Sequence, residues 1–204
     1  IRMGHWSFGE MTEAFGVTLD EYIYFGGYPG AVRLMHDERR WRKYMKDSII
    51  APAIEKDALM TSSVIKPALL RQLFDLGCKY SSEELSLTKV VGQLQDSGNV
   101  TTLSSYMQLL NQCNLLAGLQ KYAFDDARKY NSIPKFCVYN NALLSALRGL
   151  SFSKVRADSE LWGRWVESSV GAYLLSNADE YDYRVFYWRE RNNEVDYIVQ
   201  MDDK

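Results

Sequence analysis

The sequence predicts an α+β fold: a helical first part that contains a winged helix, followed by a truncated α/β part. Three observations predict it. Apolar residues recur at helical spacing through much of the chain. Between Val64 and Asn140 the segments run helix, helix, turn, helix and hairpin, the order of a winged helix. At the end, "YRVFYWRE" and "EVDYIVQM" flank Asn192-Asn193 as the two strands of a hairpin.

The elements follow in order. "YFGGYPGAV", Tyr24 to Val32, reads as a glycine-rich backbone turn. It lacks the Gly-Lys-Ser/Thr ending of a phosphate loop, which occurs nowhere in the chain. In "RRWRKYMKDSII", Trp41, Tyr44, Met45, Ile49 and Ile50 form an apolar helical stripe, and Arg39, Arg40, Arg42, Lys43 and Lys46 fall mainly off it. That basic face is either solvated or a contact for phosphate or a partner. "KPALLRQLFDLG" places Pro67 in a first helical turn and Gly77 at a helix end. "SLTKVVGQLQ" is a second helix, and a turn follows at Asp96 to Asn99. "TTLSSYMQLLNQCNLL" is a third, with a threonine N-cap and Leu103, Tyr106, Met107 and Leu110 on one face. A hairpin follows, from "LLAGLQKYAF" across a polar tip to "PKFCVYN". "NALLSALRGL" is a short helix. "SELWGRWVESSVGAYLLSN" is a longer one, its stripe read as Leu161, Trp165, Val166, Val170, Tyr173 and Leu174. Trp162 and Trp165, three apart, suggest packing against the sheet. The resulting division is 1–62, a linker and helical segment; 63–140, a winged-helix-like domain; and 141–204, an α/β domain.

Composition narrows the function. The 204 residues are 47% hydrophobic and 25% charged, the balance of a globular chain that can bury a large core. A net charge of −2 supplies no global attraction to nucleic acid or acidic membranes. No apolar run of ~20 residues is present, so no membrane span is expected, and no signal peptide is evident. Cys78, Cys113 and Cys137 are widely spaced, which reads as reduced thiols in a cytoplasmic protein. His5 and His36 lack zinc-ligand spacing. The chain begins with isoleucine and ends close to a strand, so both ends read as cuts in a longer protein.

"YFGGYPGAVRL", "IIAPAIEKD", "SLTKVVGQLQDSGNVTTLSSYMQLLNQCNLLAGLQKY", "IPKFCVY", "GRWVESSVGAYLL" and "YWRERNNEVDYIV" occur in order along nearly the whole chain. Together they resemble the C-terminal region of a family of prokaryotic AAA-type ATPases, a domain of unknown function that follows the ATPase domain. The resemblance implies a winged helix and then a restriction-endonuclease-like fold. In such nucleases a helix supplies a glutamate, one strand an aspartate, and the next strand an acidic-x-lysine pair. The first two map to Glu167 and Asp196. Together they can share a hard divalent ion, Mg²⁺ in the intact protein, that activates water. The acidic-x-lysine strand is missing: Asp202, Asp203 and Lys204 carry similar letters but belong to a turn. Where the family has an aspartate after the "PK" strand, this chain has Asn140-Asn141.

The resemblance makes the chain a non-catalytic recognition region of an AAA-type ATPase. ATP is confined to the missing N-terminal domain, and the chain itself carries no cofactor. Its expected partners are that ATPase domain, and DNA or a protein; no membrane contact is expected. Two rival readings remain open: a metal-dependent nuclease, and a protein-interaction scaffold. DNA contact would run through Ser104, Ser105 and Gln108 on the third helix and through the cations of the wing, Lys121, Arg128, Lys129 and Lys135. That helix has no lysine or arginine, so the phosphate-binding term is absent from it. Glu194 is either an edge-strand charge or a cross-hairpin partner of Arg189 or Arg191.

Overall fold

The computed structural model describes residues 4–58, 64–94, 99–123 and 132–201, and it is a mixed α+β structure. α1 (Phe8–Phe15) and α2 (Leu19–Phe25) both begin at a capping box, Ser7 with Glu10 and Thr18 with Glu21. Each box satisfies backbone N–H groups that the first helical turn leaves unpaired. α2 ends at Gly26, whose φ is +70° and whose missing Cβ leaves room for the Asn140 side chain. The glycine-rich stretch is therefore a turn, followed by the 3₁₀ segment Pro29–Leu34. α3 (Glu38–Tyr44) buries Trp41 and exposes Arg39, Arg40 and Lys43. The chain then widens into π-helical turns at Met45–Ile50 and Ala53–Ala58.

α4 (Pro67–Lys79), α5 (Leu87–Gln93) and α6 (Val100–Gln112) occupy the segments read as helices. Two caps differ from expectation. Gly77 lies inside α4, where its bare face admits Leu116, and the helix runs on to Lys79. α6 is capped by Asn99, not a threonine, because Asn99 Oδ1 accepts the Thr102 N–H at 2.7 Å. β1 (Leu116–Leu119) and β2 (Lys135–Val138) pair antiparallel, Leu116 opposite Val138. α7 (Asn141–Arg148) ends at Gly149 with φ +72°. α8 (Phe152–Ala157) and α9 (Ser159–Asn177) lead to the hairpin of β3 (Tyr183–Glu190) and β4 (Asn193–Met201).

The strands join into one layer. Residues 82–85 bond to β2 on its outer side, through Ser82 N–H to Phe136 O, Phe136 N–H to Glu83 O and Leu85 N–H to Pro134 O. Just beyond β1, the Gln120 carbonyl and the Tyr122 N–H bond in parallel fashion to Tyr187 of β3. The order is therefore 82–85, β2, β1, β3, β4. The hairpin turn sits at Arg191-Asn192, one residue earlier than the sequence suggests, with Arg191 at φ +55°. Tight hairpins need such a residue to match strand twist. β4 also carries a bulge. Trp188 faces Val195 and Phe186 faces Ile198, so Asp196 and Tyr197 together oppose Tyr187.

One hydrophobic core draws on all three segments of the chain, from Ile23 and Trp41 through Phe74 and Leu110 to Leu144 and Trp165. α7 ties it together with polar groups. Asn141 Nδ2 donates to Ile23 O at 2.7 Å and to Trp165 O at 2.8 Å. Ser145 Oγ donates to Tyr24 O and accepts the Trp165 indole N–H. Trp165 lies parallel to Tyr24, with ring centroids 6.5 Å apart, so it packs among helices and not on the sheet. Trp162 instead lies at the edge of that core, with the Arg156 guanidinium 4.8 Å from its ring.

α9 departs most from its predicted stripe. Its buried residues are Trp165, Ser168, Gly171 and Ala172, whereas Val170 and Tyr173 are 47% and 52% exposed. Small residues win because β2 and β4 come close. A Cβ on Gly171 would stand 2.6 Å from Cys137 Sγ and also meet the Tyr197 hydroxyl. Gly163 on the same helix faces open space. The two glycines make opposite predictions for one substitution. Gly163→Ala should stabilise the protein by up to about 1 kcal/mol, the helix-propensity gain. Gly171→Ala should lose about 1–3 kcal/mol to overpacking. Urea unfolding of both variants tests the assignment.

Candidate functional site

The site forms where β2, α9 and β4 converge. β2 is buried along its whole length, so its first residue, Lys135, has only 8% side-chain exposure. A buried ammonium needs compensating charge. It finds Glu167 Oε1 at 2.5 Å and Asp196 Oδ1 at 2.9 Å. The ring of Tyr197 lies beneath it, 5.2 Å from centroid to Nζ, a cation–π contact. Glu167 and Asp196, mapped from sequence to one site, do meet. The third member, read from sequence as a cation of the wing, is clasped between them and turned away from any phosphate.

The β4 bulge makes this arrangement possible. Strict alternation would send Asp196 and Tyr197 to opposite faces. With both opposing Tyr187, Asp196 reaches Lys135 while the Tyr197 hydroxyl donates to Glu167 O at 2.9 Å and lies 3.4 Å from Ser82 Oγ. Ser82 is itself held at φ +70° beside β2. Behind it, Ser81 Oγ and Ser168 Oγ, both fully buried, are 2.7 Å apart and link α9 to the same strand layer.

Around the clasp lies a cleft of about 360 Å³, whose walls include Glu83, Glu84, Glu194 and Arg189. Its acids are paired. Glu83 meets Arg164 at 2.5 Å and Arg148 at 4.0 Å, and Arg189 meets Glu84 at 2.9 Å and Glu194 at 3.6 Å. The expected cross-hairpin pair of Glu194 with Arg189 is present. Tyr187 adds a hydroxyl hydrogen bond to the Ile133 carbonyl.

The electrostatics follow from one ammonium between two carboxylates in a half-buried place. Burial works to lower the Lys135 pKa, but hydrogen bonds and charge from Glu167 and Asp196 outweigh it and leave the pKa raised. Glu167 is also raised: burial is the main cause, Lys135 opposes it, and the Asp196 charge adds to it. The Lys135 shift means that the ammonium keeps its proton within the clasp. Burial also lifts the Cys137 thiol to about 12, which leaves it a poor nucleophile.

A divalent ion shared by Glu167 and Asp196 would have to displace the ammonium that lies within 2.9 Å of both. Among the described residues, no group of three or more His, Cys, Asp or Glu side chains is placed to hold a metal.

The other predicted contacts lie elsewhere. Ser104, Ser105 and Gln108 are exposed on α6, although the Ser105 hydroxyl donates back to Thr101 O. Lys121 is half-buried just after β1, where its backbone N–H donates to Ser132 Oγ. Arg128 and Lys129 lie outside the described residues. Asn140 and Asn141 are structural: Asn140 Oδ1 accepts from Gly27 and Ala142, and Asn141 bridges α2 and α9. Sequence reasoning missed Lys135 as a site residue. The available signal was a lysine opening the apolar run "KFCV", a place that demands an acidic partner.

Among the described residues, no helix is long and apolar enough to cross a membrane. The family model of a domain of unknown function, DUF8612, matches residues 17–154, so the chain belongs to that family. Lys135 lies within the matched residues; Glu167 and Asp196 lie beyond them. No curated protein and no solved structure matches the chain.

The clasp predicts a pH-dependent cost for Lys135→Met. At about pH 7 the variant leaves two facing carboxylates and should lose about 1–3 kcal/mol, the buried-pair penalty reduced because Asp196 is half-exposed. The sign with pH follows from Glu167. Its folded pKa is raised, so protonation favours the folded state, and that contribution is lost as pH rises through the folded value. The deficit of Lys135→Met should therefore shrink as pH falls from about 7 to about 4, across the range in which carboxyl groups take up protons. Urea unfolding at both pH values checks this.

Proposed function

We propose that this member of the family is a non-catalytic recognition region in which Lys135, Glu167 and Asp196 act as an ionic clasp. The single observation that carries this reading is the Lys135 ammonium, 2.5 Å from Glu167 and 2.9 Å from Asp196, in the place a shared catalytic ion would need. The clasp fastens the β3–β4 hairpin to β2 and α9. Following the resemblance, the region serves an AAA-type ATPase, with that ATPase domain and a protein ligand as its partners.

The order 82–85, α5, α6, β1, β2, with 82–85 returning to pair with β2, supports a winged helix. The outward face of α6 is hydroxyl and amide in character, which favours protein contact over phosphate contact. A metal-dependent nuclease is the second reading. What favours it is the gathering of a glutamate, an aspartate and a lysine at one cleft, the residue types that such centres use.

Two experiments separate these readings. Calorimetry with Mg²⁺ or Mn²⁺ should show no saturable binding, and supercoiled plasmid should stay intact with either ion. Cleavage that is lost in Asp196→Asn would install the nuclease reading instead. Fluorescence anisotropy of a labelled duplex should show no saturable binding even at low salt. Binding that falls by orders of magnitude between about 50 and 200 mM salt would restore DNA recognition through the wing.

A further inference from the structure

A second cleft, of about 460 Å³, lies apart from the clasp and shares none of its residues. It opens among the segment before α1, the β2–α7 turn and the C-terminal half of α9. Its size falls in the range of small-ligand sites. Its walls carry five aromatic rings, those of Trp6, Tyr22, Tyr139, Tyr173 and Tyr181. Tyr173 and Tyr181 are 52% and 61% exposed, so both present much of their surface to solvent.

Among its described lining residues, the charge of this cleft has one sign. Glu10 and Glu180 line it, and none of its described lining residues is a lysine or arginine. Glu10 stays ionised readily, because the Ser7 N–H and hydroxyl donate to it and lower its pKa. Its one imidazole, His5, is largely buried, and that burial lowers its pKa and keeps it uncharged near neutrality. Asn141, only 3% exposed, adds an acceptor: its Nδ2 donates to Ile23 O and Trp165 O, and among the described residues its Oδ1 has no donor. The cleft thus offers carboxylates, ring faces and a spare acceptor, with no competing cation among its described residues.

We propose that this cleft binds an organic ammonium, of the kind carried by a polyamine or by a lysine side chain. Carboxylates attract the charge, ring faces hold it by cation–π contact, and its N–H groups serve the acceptors. The clasp satisfies its acids with Lys135; Glu10 accepts from Ser7, and among the described residues neither Glu10 nor Glu180 meets a lysine or arginine in a salt bridge.

The test titrates spermidine, and in parallel N-acetyl-lysine methylamide, into the whole chain by calorimetry, with sorbitol as a neutral control. Saturable binding of spermidine or of the lysine compound is expected, and the tighter of the two tells a free polyamine from a protein-borne lysine. Glu180→Gln and Tyr173→Leu, both at exposed positions that leave the core untouched, should each weaken binding at least about threefold, the scale of one exposed cation–π or charge contact. Failure of both amines to bind overturns the proposal. So does binding unchanged in both variants, or binding of sorbitol as tight as that of the amines.

Discussion

A lysine ammonium with little access to water governs how the C-terminal part of this protein is built. β2 is buried from end to end, so Lys135 must carry its charge inward. Only elements that bring carboxylates to it can surround it. α9 brings Glu167, and β4 brings Asp196. In exchange, the hairpin gains an anchor that its own packing does not supply: much of β4 is exposed, including Val195, Val199 and Met201. A two-stranded hairpin is marginal by itself. This one holds because Lys135, Tyr187 and Arg189 tie it to the strand layer and Tyr197 ties it to α9.

The same logic explains why α9 buries small residues. For Glu167 to approach Lys135, the helix must lie close to β2, and closeness excludes large side chains at Ser168, Gly171 and Ala172. The aromatic bulk moves one turn earlier, to Trp165, where α2 and α7 leave room for it. α7 then matches polar groups to the carbonyls of both neighbours through Asn141 and Ser145. Burial of polar groups here is orderly because nearly every donor has a carbonyl opposite it.

Much of this was legible in the sequence. Helical spacing located α3 to α7, period-two character located β3 and β4, and a cross-hairpin pair of Glu194 with Arg189 or Arg191 was one of the two readings of Glu194. Glu167 and Asp196 were placed together from resemblance, and they do meet. The rest was hidden for physical reasons. A buried face made of glycine, serine and alanine leaves no hydrophobic period to detect, so Val170 and Tyr173 were assigned to the wrong side of α9. A bulge has no marker residue in "EVDYIV", and plain alternation would separate Tyr197 from Asp196. Lys135 was read as a surface cation because burial of a lysine depends on partners 32 and 61 residues away, positions 167 and 196.

The bulge at Tyr187 also bears on how this chain can vary. Downstream of it, the inside and outside of β4 are set by counting one residue more than the strand opposite. A deletion anywhere between Val195 and Ile198 would keep the hairpin hydrogen-bonded yet turn either a carboxylate or a ring outward. An insertion in the turn at Arg191-Asn192 would leave both in place. Length change in this hairpin is therefore polarised: tolerated at its tip, forbidden at its waist.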